Sequence, residues 1–331
     1  MRCAVVGAGA WGTALADLLV RNGHDVKLWA FEPDVVESIN TKHENSRFLA
    51  GHSLAPGIKA INDVTETVRD AELVTFATPS HVLRAITRQA VRSMASDVPL
   101  VVATKGIERS TLCLMTEVVE QEAADATVLA LSGPSFATEV ISRQPTAVVV
   151  ASHDESAAEL TQRAFSSPYF RAYTHTDVIG VELGGALKNV MAVATGIADG
   201  LGLGFNARAA LVTRGLAEMT RLGVALGAEQ STFAGLAGLG DLVLTCTGSL
   251  SRNRSVGVEL GKGKQLDEVL RSRETVAEGV TAAQSARELA VREGVEMPIV
   301  DAVNRVLFEG QPARGAIGAL MTRELRAEVD R

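Results

Sequence analysis

The most constraining feature of the sequence is a set of three spaced glycines close to its start. Residues 3–6 form a short apolar run, as in a buried parallel strand. Gly7, Gly9 and Gly12 follow with the spacing G-x-G-x-x-G. In this pattern the first glycine permits a tight turn, the second lets a pyrophosphate approach the backbone, and the third lets the helix pack close to the strand. The segment therefore predicts a dinucleotide-binding strand, turn and helix.

The residues after the glycines extend this pattern. A helix is predicted over residues 11–22, with Gly23 just beyond its end, and a second strand over residues 25–30. The free amides at the start of the helix would bind an anion. Glu32 lies 20 residues after Gly12, where dinucleotide-binding folds place the acid that binds the ribose. The predicted cofactor contacts here are Gly7, Gly9, Ala10, Gly12, Phe31 and Glu32.

Length, charge and cysteine content narrow the possible functions. A chain of 331 residues, 47% of them hydrophobic, is long enough for two globular domains. The net charge of −7 argues against general nucleic-acid binding but permits a local basic pocket for an anion. Cys3, Cys113 and Cys246 are far apart and no zinc-binding spacing occurs. Neither a metal site nor a disulfide framework is expected, and the predicted compartment is the reducing cytoplasm.

Two membrane-related interpretations are set aside. Arg2 and the apolar stretch after it resemble a signal peptide, but the spaced glycines and Asp17 favour a strand, turn and helix. No apolar run has the length and composition of a membrane span, so stable membrane insertion is not expected.

Strand and helix patterns divide the chain near residue 180. Strands alternate with helices up to about residue 177, which predicts an α/β domain with a parallel, doubly wound sheet of the Rossmann type. The segment 33–70 is predicted to be irregular, with helical pieces near 34–40 and 64–69. An all-helical domain follows, so the predicted domains are 1–179 and 180–331. Strands are predicted at 3–6, 25–30, 73–77, 99–103, 128–131, 146–151 and 170–174, and helices at 81–94, 111–123, 155–165, from 178 onward, and at 207–226, 231–237, 256–262, 266–271, 282–293, 299–308 and 313–320.

Lys188 lies on an unusual stripe of the helix that begins near residue 178. Apolar residues at spacings of three and four form the core face of this helix, and Lys188 lies off that face. Its neighbours at helical spacing are small: Gly184, Gly185, Ala192 and Thr195. Glycine inside a helix costs about 1 kcal/mol relative to alanine. The stripe therefore predicts close approach of a ligand or of another backbone, although an exposed lysine beside packed glycines fits it equally well.

Two further segments carry candidate ligand-binding residues. Lys105 follows a predicted strand, at the edge of the sheet where ligands of open parallel sheets bind, although a solvated turn lysine is the alternative. Ser251 is a good N-cap for a helix that extends to about residue 260. Arg252 and Asn253 then lie in the first turn, where a cation is unfavourable unless an anion is bound. This turn is a candidate phosphate site or, alternatively, an ordinary capped surface helix.

Over its whole length the sequence resembles the bacterial NAD(P)-dependent glycerol-3-phosphate dehydrogenases. The first motif, residues 7–16, is shared by many dehydrogenases, whereas the later ones are specific in this order. The later motifs are Ala103-Thr104-Lys105-Gly106, Leu131-Ser132-Gly133-Pro134-Ser135-Phe136-Ala137, Gly185-Ala186-Leu187-Lys188-Asn189, Gly238-Leu239-Gly240-Asp241, Ser251-Arg252-Asn253 and Val276-Ala277-Glu278-Gly279.

The resemblance implies reversible hydride transfer between sn-glycerol 3-phosphate and dihydroxyacetone phosphate, with NAD or NADP as cofactor and without a metal. It implies a cytoplasmic homodimer whose product is the precursor of glycerophospholipids. Lys188 would take the hydroxyl proton, with its pKa lowered by burial and by Lys105 and Arg252. Asp241 would either orient Lys188 or bind a substrate hydroxyl. The implied substrate contacts are Lys105, Gly133, Ser135, Lys188, Asp241, Ser251, Arg252 and Asn253, and the added cofactor contacts are Trp11, Lys105, Ala137, Arg252, Val276 and Glu278.

One position departs from the family pattern, and two other functions compete. Family members often carry a basic or small polar residue where this chain has Phe31, followed by Glu32. This favours NADH over NADPH, because a carboxylate repels the 2′-phosphate. The alternatives are a β-hydroxyacid or 6-phosphogluconate type dehydrogenase, which shares the glycine turn and a catalytic lysine, and a non-catalytic dinucleotide sensor.

Overall fold

An eight-stranded sheet forms the first half of the chain in the computed structural model, which describes residues 1–271, 278–325 and 327–328. The strand order is 3-2-1-4-5-6-7-8 in chain numbering, and the first six strands are parallel. This order over strands 1 to 6 is that of a doubly wound dinucleotide-binding sheet, so the predicted fold class is confirmed. The strands are β1 (Arg2–Val6), β2 (Asp25–Trp29), β3 (Ile58–Ile61), β4 (Leu73–Phe76), β5 (Leu100–Val102), β6 (Val128–Ser132), β7 (Thr146–Ala151) and β8 (Phe170–His175).

Helices cover both faces of this sheet. Successive side chains of a strand point to opposite faces. In β1, Cys3 and Val5 belong to one hydrophobic core, whereas Ala4 and Val6 belong to a second core on the other face. The helices of this half are α1 (Ala10–Arg21), α2 (Pro33–Lys42), α3 (Val64–Val68), α4 (Ser80–Ala90), α5 (Met115–Glu122), α6 (Ala137–Ile141) and α7 (Glu155–Phe165).

Three details of the predicted first half are wrong. Strand β3 lies in the segment predicted to be irregular; it has only four residues, and Asn40 pairs with both polar backbone atoms of Ala60 on its outer edge. Strand β7 runs antiparallel to β6, a direction that side-chain alternation does not encode. Helix α5 begins at Met115 instead of residue 111, because the Glu117 carboxylate accepts the Leu114 amide hydrogen bond at 2.6 Å.

The second half is helical over its described residues, as predicted. The segment predicted as a helix over residues 231–237 is instead a 3₁₀ turn (Gln230–Ala234) followed by a π-helical segment (Leu236–Gly240). The α-helices are α8 (Val178–Gly200), α9 (Phe205–Ala225), α10 (Asp241–Thr247), α11 (Arg252–Gly261), α12 (Leu266–Arg271), α13 (Glu278–Arg292), α14 (Pro298–Phe308) and α15 (Ala313–Met321).

Helix α8 is the central element of this half. It is long and apolar enough for a membrane span, but 94% of its most apolar window is buried within the fold, as in a core helix. Its last turns cross α11 at four glycines. A side chain at Gly196 would overlap the Arg254 carbonyl oxygen, and one at Gly257 would overlap that of Val193. Gly200 and Gly261 repeat the contact one turn further along, so α11 has a fixed position against α8.

Candidate active site

The glycine turn has the geometry that its spacing predicts. Gly7 has φ +122°, and a Cβ there would lie 2.8 Å from the Ala77 carbonyl carbon after β4. A Cβ on Gly12 would overlap the Gly7 carbonyl oxygen. A Cβ on Gly9, in contrast, would meet no described atom within 4 Å. Gly7 and Gly12 are therefore required by the fold, whereas Gly9 leaves space for a ligand.

The start of α1 presents hydrogen-bond donors beside that space. Its N-cap Gly9 has no side chain, and the first backbone bond into the helix runs from the Thr13 amide to the Gly9 carbonyl at 2.9 Å. The amides of Ala10 and Trp11 precede that bond at the positive end of the helix dipole. The indole Nε1 of Trp11 is buried without a hydrogen-bond partner among the described residues. These donors fit the pyrophosphate of a dinucleotide.

Sequence reasoning missed one residue that supports this turn. Asn45 is fully buried in the segment predicted as irregular. Its Nδ2 donates to the Ala8 carbonyl and to the Thr13 hydroxyl, each at 2.8 Å, and its Oδ1 accepts from the Phe48 amide. It thereby fixes the carbonyl between Gly7 and Gly9. A single asparagine outside any periodic pattern gives no sequence signal for this role.

The end of β2 combines an exposed ring with charges of both signs. Phe31 is 73% exposed, and its ring meets that of Trp29 edge-on at 6.4 Å. Glu32 is the N-cap residue of α2 but caps no amide with its side chain. Arg47 lies nearby, with Nη1 3.7 Å from a carboxylate oxygen of Asp34 in the first turn of α2. A cation is thus present at this end of the sheet, beside a carboxylate that partly offsets its charge.

Two lysines from the two halves of the chain meet at one buried carboxylate. Asp241, the first residue of α10, is fully buried, and its Oδ2 accepts a hydrogen bond from Lys105 Nζ at 2.7 Å. Its Oδ1 accepts another from Nζ of Lys188, in the buried middle of α8. Lys105, after β5, also lies 3.4 Å from the Gly133 carbonyl oxygen after β6. The fold thus gathers four predicted residues between sheet and helices.

Burial lowers the pKa of Lys188 below that of an ordinary lysine, because it disfavours the charged ammonium group. The positive charge of Lys105 acts in the same direction, while the Asp241 carboxylate opposes both. A lysine with a lowered pKa can accept and release a proton close to neutral pH. In this structure both carboxylate oxygens of Asp241 hold lysines, so its geometry is that of a lysine-orienting group.

The two glycines of the small-residue stripe face backbone and the sheet, which is the close approach that is one of the two interpretations of the sequence. A Cβ on Gly184 would lie 2.5 Å from the Ala237 carbonyl oxygen in the π-helical segment. A Cβ on Gly185 would lie 2.5 Å from Ser132 Oγ and 3.5 Å from Lys105 Cδ. The two glycines therefore let α8 pack closely enough for Lys188 to reach the edge of the sheet.

The loop after β6 is held in a conformation that requires glycine. Gly133 has φ +141°, and a Cβ there would lie 2.9 Å from the Val148 Cα in β7. The Ser135 hydroxyl donates to the Gly133 carbonyl at 3.0 Å, and Ala137 begins α6. The Ser132 hydroxyl is buried without a partner among the described residues. The Gly133 carbonyl therefore lies next to both Lys105 Nζ and the Ser135 hydroxyl.

The first turn of α11 is joined to α8 and α13. Ser251 is the N-cap, as predicted, and its hydroxyl accepts the Arg254 amide at 3.2 Å. Asn253 donates to the Asn189 side chain at 2.9 Å and accepts from the Gly279 amide at 2.9 Å. The side-chain amide of Asn253 thus bonds to one residue of α8 and one of α13, and so joins these two helices to α11.

Glu278, the first residue of α13, is affected by the positive charges of this region. Burial raises the pKa of Glu278, while Arg252, Lys105 and Lys188 oppose that rise. Arg252 itself is exposed at the start of α11. Val276, the remaining predicted cofactor contact, lies outside the described residues. No group of three metal-ligating side chains occurs within the described ranges.

Fold and site together define a two-domain, dinucleotide-dependent dehydrogenase. The distance from β2 to β5 is three strand spacings, about 14 Å, so the Glu32 and Lys105 regions lie at opposite ends of a stretch that an extended dinucleotide can cover. Models of the N-terminus and C-terminus of NAD-dependent glycerol-3-phosphate dehydrogenase match residues 2–158 and 177–318. The chain belongs to this family.

Individual relatives agree with the family models over nearly the full chain. The chain is 54% identical to the glycerol-3-phosphate dehydrogenase (NAD(P)+) of Geobacter sulfurreducens, over 99% of this chain and 98% of that protein. It is 52% identical to the enzyme of the same name from Syntrophotalea carbinolica, over 100% of both. A crystal structure of glycerol-3-phosphate dehydrogenase from Coxiella burnetii superposes with a TM-score of 0.94 at 38% identity, covering 97% of this chain and 99% of that one.

Proposed function

We propose that the chain catalyses reversible hydride transfer between sn-glycerol 3-phosphate and dihydroxyacetone phosphate, and so supplies the precursor of glycerophospholipids. The observation that carries this proposal is the cluster of Lys188, Asp241 and Lys105 between the sheet and the helical half. The nicotinamide cofactor, when bound, donates or accepts the hydride. The cofactor would be held by the glycine turn and the first amides of α1.

In this proposal Lys188 accepts the proton of the reacting oxygen in one direction and returns it in the other. Its lowered pKa lets the neutral amine take the proton of the substrate hydroxyl during oxidation. In the opposite direction the ammonium form polarises the carbonyl and returns the proton. Asp241 orients Lys188 through its Oδ1 while it holds Lys105 through Oδ2. Lys105 is thereby kept close enough to disfavour a second positive charge on Lys188.

The first turn of α11 would bind the substrate phosphate. Arg252 supplies a cation, and backbone amides of the turn supply donors at the positive end of the helix dipole. Asn253 would hold the turn through Asn189 and Gly279. Residues 1–179 would thus bind the cofactor and residues 180–331 the substrate, with Lys105, Gly133 and Ser135 contributed across the boundary.

A substrate panel tests this function. The purified protein should oxidise NADH with dihydroxyacetone phosphate, and should be far less active in reducing NAD+ or NADP+ with β-hydroxyacids or 6-phosphogluconate. Full activity after treatment with EDTA is expected for metal-independent chemistry. Turnover of only the acids would support the competing dehydrogenase class, and cofactor binding without turnover of any of them would support a dinucleotide sensor.

Assembly and location form a second, separate part of the proposal. We expect a homodimer located in the cytoplasm, as the family resemblance implies, with no nucleic-acid partner. Sedimentation equilibrium over a hundredfold range of protein concentration would test the dimer. A species with the mass of one chain, 34.8 kDa, at all concentrations would contradict it.

A further inference from the structure

A largely buried ion-pair cluster lies behind the candidate phosphate site. Asp199, in the last turn of α8, accepts hydrogen bonds from two arginines. Arg254 Nε and Nη2 bind its Oδ2 at 2.8 and 2.6 Å, and Arg208 Nε and Nη2 bind its Oδ1 at 3.1 and 2.6 Å. The Asp199 side chain is only 10% exposed. We name Asp199, Arg208 and Arg254 the Asp199 cluster; it joins the end of α8 to the starts of α9 and α11.

Two of its members carry charges that are unfavourable for their own helices. A carboxylate in the last turn of α8 faces the negative end of that helix dipole, and an arginine in the first turn of α11 faces a positive end. The Asp199 carboxylate is compensated by Arg254 and Arg208, and the Arg254 guanidinium is compensated by Asp199. Helix stability alone would therefore not select these residues, which points to a role in holding the helix ends together.

Arg254 is held at three points, and the Asp199 cluster supplies the third. Its amide donates to the Ser251 hydroxyl, and its carbonyl oxygen packs against Gly196 of α8. Its guanidinium binds Asp199. Arg252 lies two residues earlier in the same turn. The direction from which Arg252 and the α11 amides approach a phosphate is therefore set by how Arg254 is held.

We propose that the Asp199 cluster positions the first turn of α11 for the phosphate group of the substrate. The cluster acts through Arg252 and the α11 amides and does not itself touch the substrate. This inference rests on the phosphate site in the proposed function. It assigns to Asp199, Arg208 and Arg254 a positioning role in substrate selection.

The direction in which Asp199→Asn changes the affinity for phosphate distinguishes a positioning role from a purely electrostatic one. The substitution removes a negative charge close to an anion site. Long-range electrostatics alone would then tighten phosphate binding. Loss of positioning weakens binding instead, because an amide cannot hold both guanidinium groups as a carboxylate does. The two explanations thus predict opposite changes in one measured quantity.

The experiment measures phosphate recognition with and without turnover. We expect Asp199→Asn to raise the KM for dihydroxyacetone phosphate roughly tenfold or more. Calorimetry with inorganic phosphate should show a similar rise in Kd, whereas the KM for NADH and the kcat/KM for unphosphorylated dihydroxyacetone should change less than about twofold. Arg254→Lys keeps the charge but loses the planar fork, and should give a smaller rise in the same two quantities.

A matched control is Glu218→Gln, which changes another buried carboxyl of the helical half. Glu218 accepts the Ile299 and Val300 amides at the start of α14 and, among the described residues, has no hydrogen bond or ion pair to α11. It should leave phosphate binding unchanged. Unchanged or tighter phosphate binding in Asp199→Asn would refute the positioning role, as would equal losses on both ketones. If Asp199→Asn does not fold, an unchanged Kd and KM in Arg254→Lys refutes it. An inactive wild type that still binds phosphate would refute the proposed function alone.

Discussion

The starts of α1 and α11 are both proposed to bind phosphate, but they are built in opposite ways. Helix α1 follows Gly9, whose Cα faces open space, and its first turn carries no charged side chain. Helix α11 follows Ser251, whose hydroxyl caps the helix, and its first turn contains Arg252 and Arg254. Backbone amides are the donors at α1, whereas α11 adds two cations, of which Arg254 is held in place by Asp199 of α8.

The difference follows from the two anions. A pyrophosphate lies within a long cofactor that makes contacts on both sides, so its site needs close backbone approach more than charge. A phosphate monoester is a compact dianion at the end of a small substrate, and a cation there supplies much of the available binding energy. The pyrophosphate site therefore needs residues without bulky side chains, so that the backbone can approach. The monoester site needs charged side chains that are held in a fixed position.

The largest expected effect lies at neither helix start. Lys188→Ala should retain NADH binding at α1 and phosphate binding at α11 but lose about 10²–10⁴-fold in kcat, because it removes the proton acceptor. Cofactor binding is measured by fluorescence titration, and kcat by NADH consumption. A variant with near-wild-type kcat at any pH would show that Lys188 is not the acid–base group.

The next effect separates the two helix starts. Arg252→Ala should raise the KM for dihydroxyacetone phosphate about tenfold to a hundredfold, because a charge-assisted contact contributes about 1.5–3 kcal/mol. NADH binding and the turnover of unphosphorylated dihydroxyacetone should change much less. Equal losses on the phosphorylated and unphosphorylated ketones would remove Arg252 from the phosphate site.

The reciprocal change is Gly9→Ala. A methyl group at this position meets no described atom of the protein, and the φ of −65° is acceptable for alanine, so the fold should be unaffected. The methyl group would occupy the space proposed for the pyrophosphate, and we expect roughly a tenfold rise in the KM for NADH. The KM for dihydroxyacetone phosphate, extrapolated to saturating NADH, is the control. An unchanged KM for NADH would mean that the pyrophosphate does not approach Gly9.

The two helix starts also differ in how far the sequence predicts them. The glycine turn is contiguous, so residues 7–12 determine its fold and ligand class from spacing alone. The lysine cluster is not contiguous: Asp241 lies 136 residues from Lys105 and 53 from Lys188. Periodicity placed Lys188 on a small-residue stripe but could not show what the stripe faces, and the family resemblance supplied the partners.

Other features escaped prediction for physical reasons. Strand β3 is short and lies at the sheet edge, where a single neighbour and Asn40 stabilise it, so its pattern is weak. The direction of β7 depends on its connection and not on side-chain alternation. The roles of Asn45 and Asp199 arise from tertiary contacts of single polar residues, which leave no periodic signal.

The smallest expected effect concerns the far end of the cofactor. We expect higher kcat/KM with NADH than with NADPH, because Glu32 can accept hydrogen bonds from the ribose hydroxyls but repels a 2′-phosphate. Arg47, a cation near this end of β2, lies beside Asp34, whose carboxylate partly offsets its charge. Phe31 can stack on the adenine of either cofactor. The measurement is kcat/KM for both cofactors at one ionic strength.

Two sets of variants identify the residues behind that preference. Phe31→Arg with Glu32→Ser replaces a repelling carboxylate with a cation, and should shift efficiency toward NADPH. Arg47→Met tests the competing arrangement, in which Arg47 leaves Asp34 to meet the 2′-phosphate; if Glu32 controls the preference, NADH and NADPH efficiencies should keep their ratio in this variant. Equal efficiency in the wild type, or a double variant without any shift, would contradict control by Glu32. A loss of NADPH efficiency confined to Arg47→Met would assign that control to Arg47, because only the 2′-phosphate distinguishes the two cofactors at this end of the sheet.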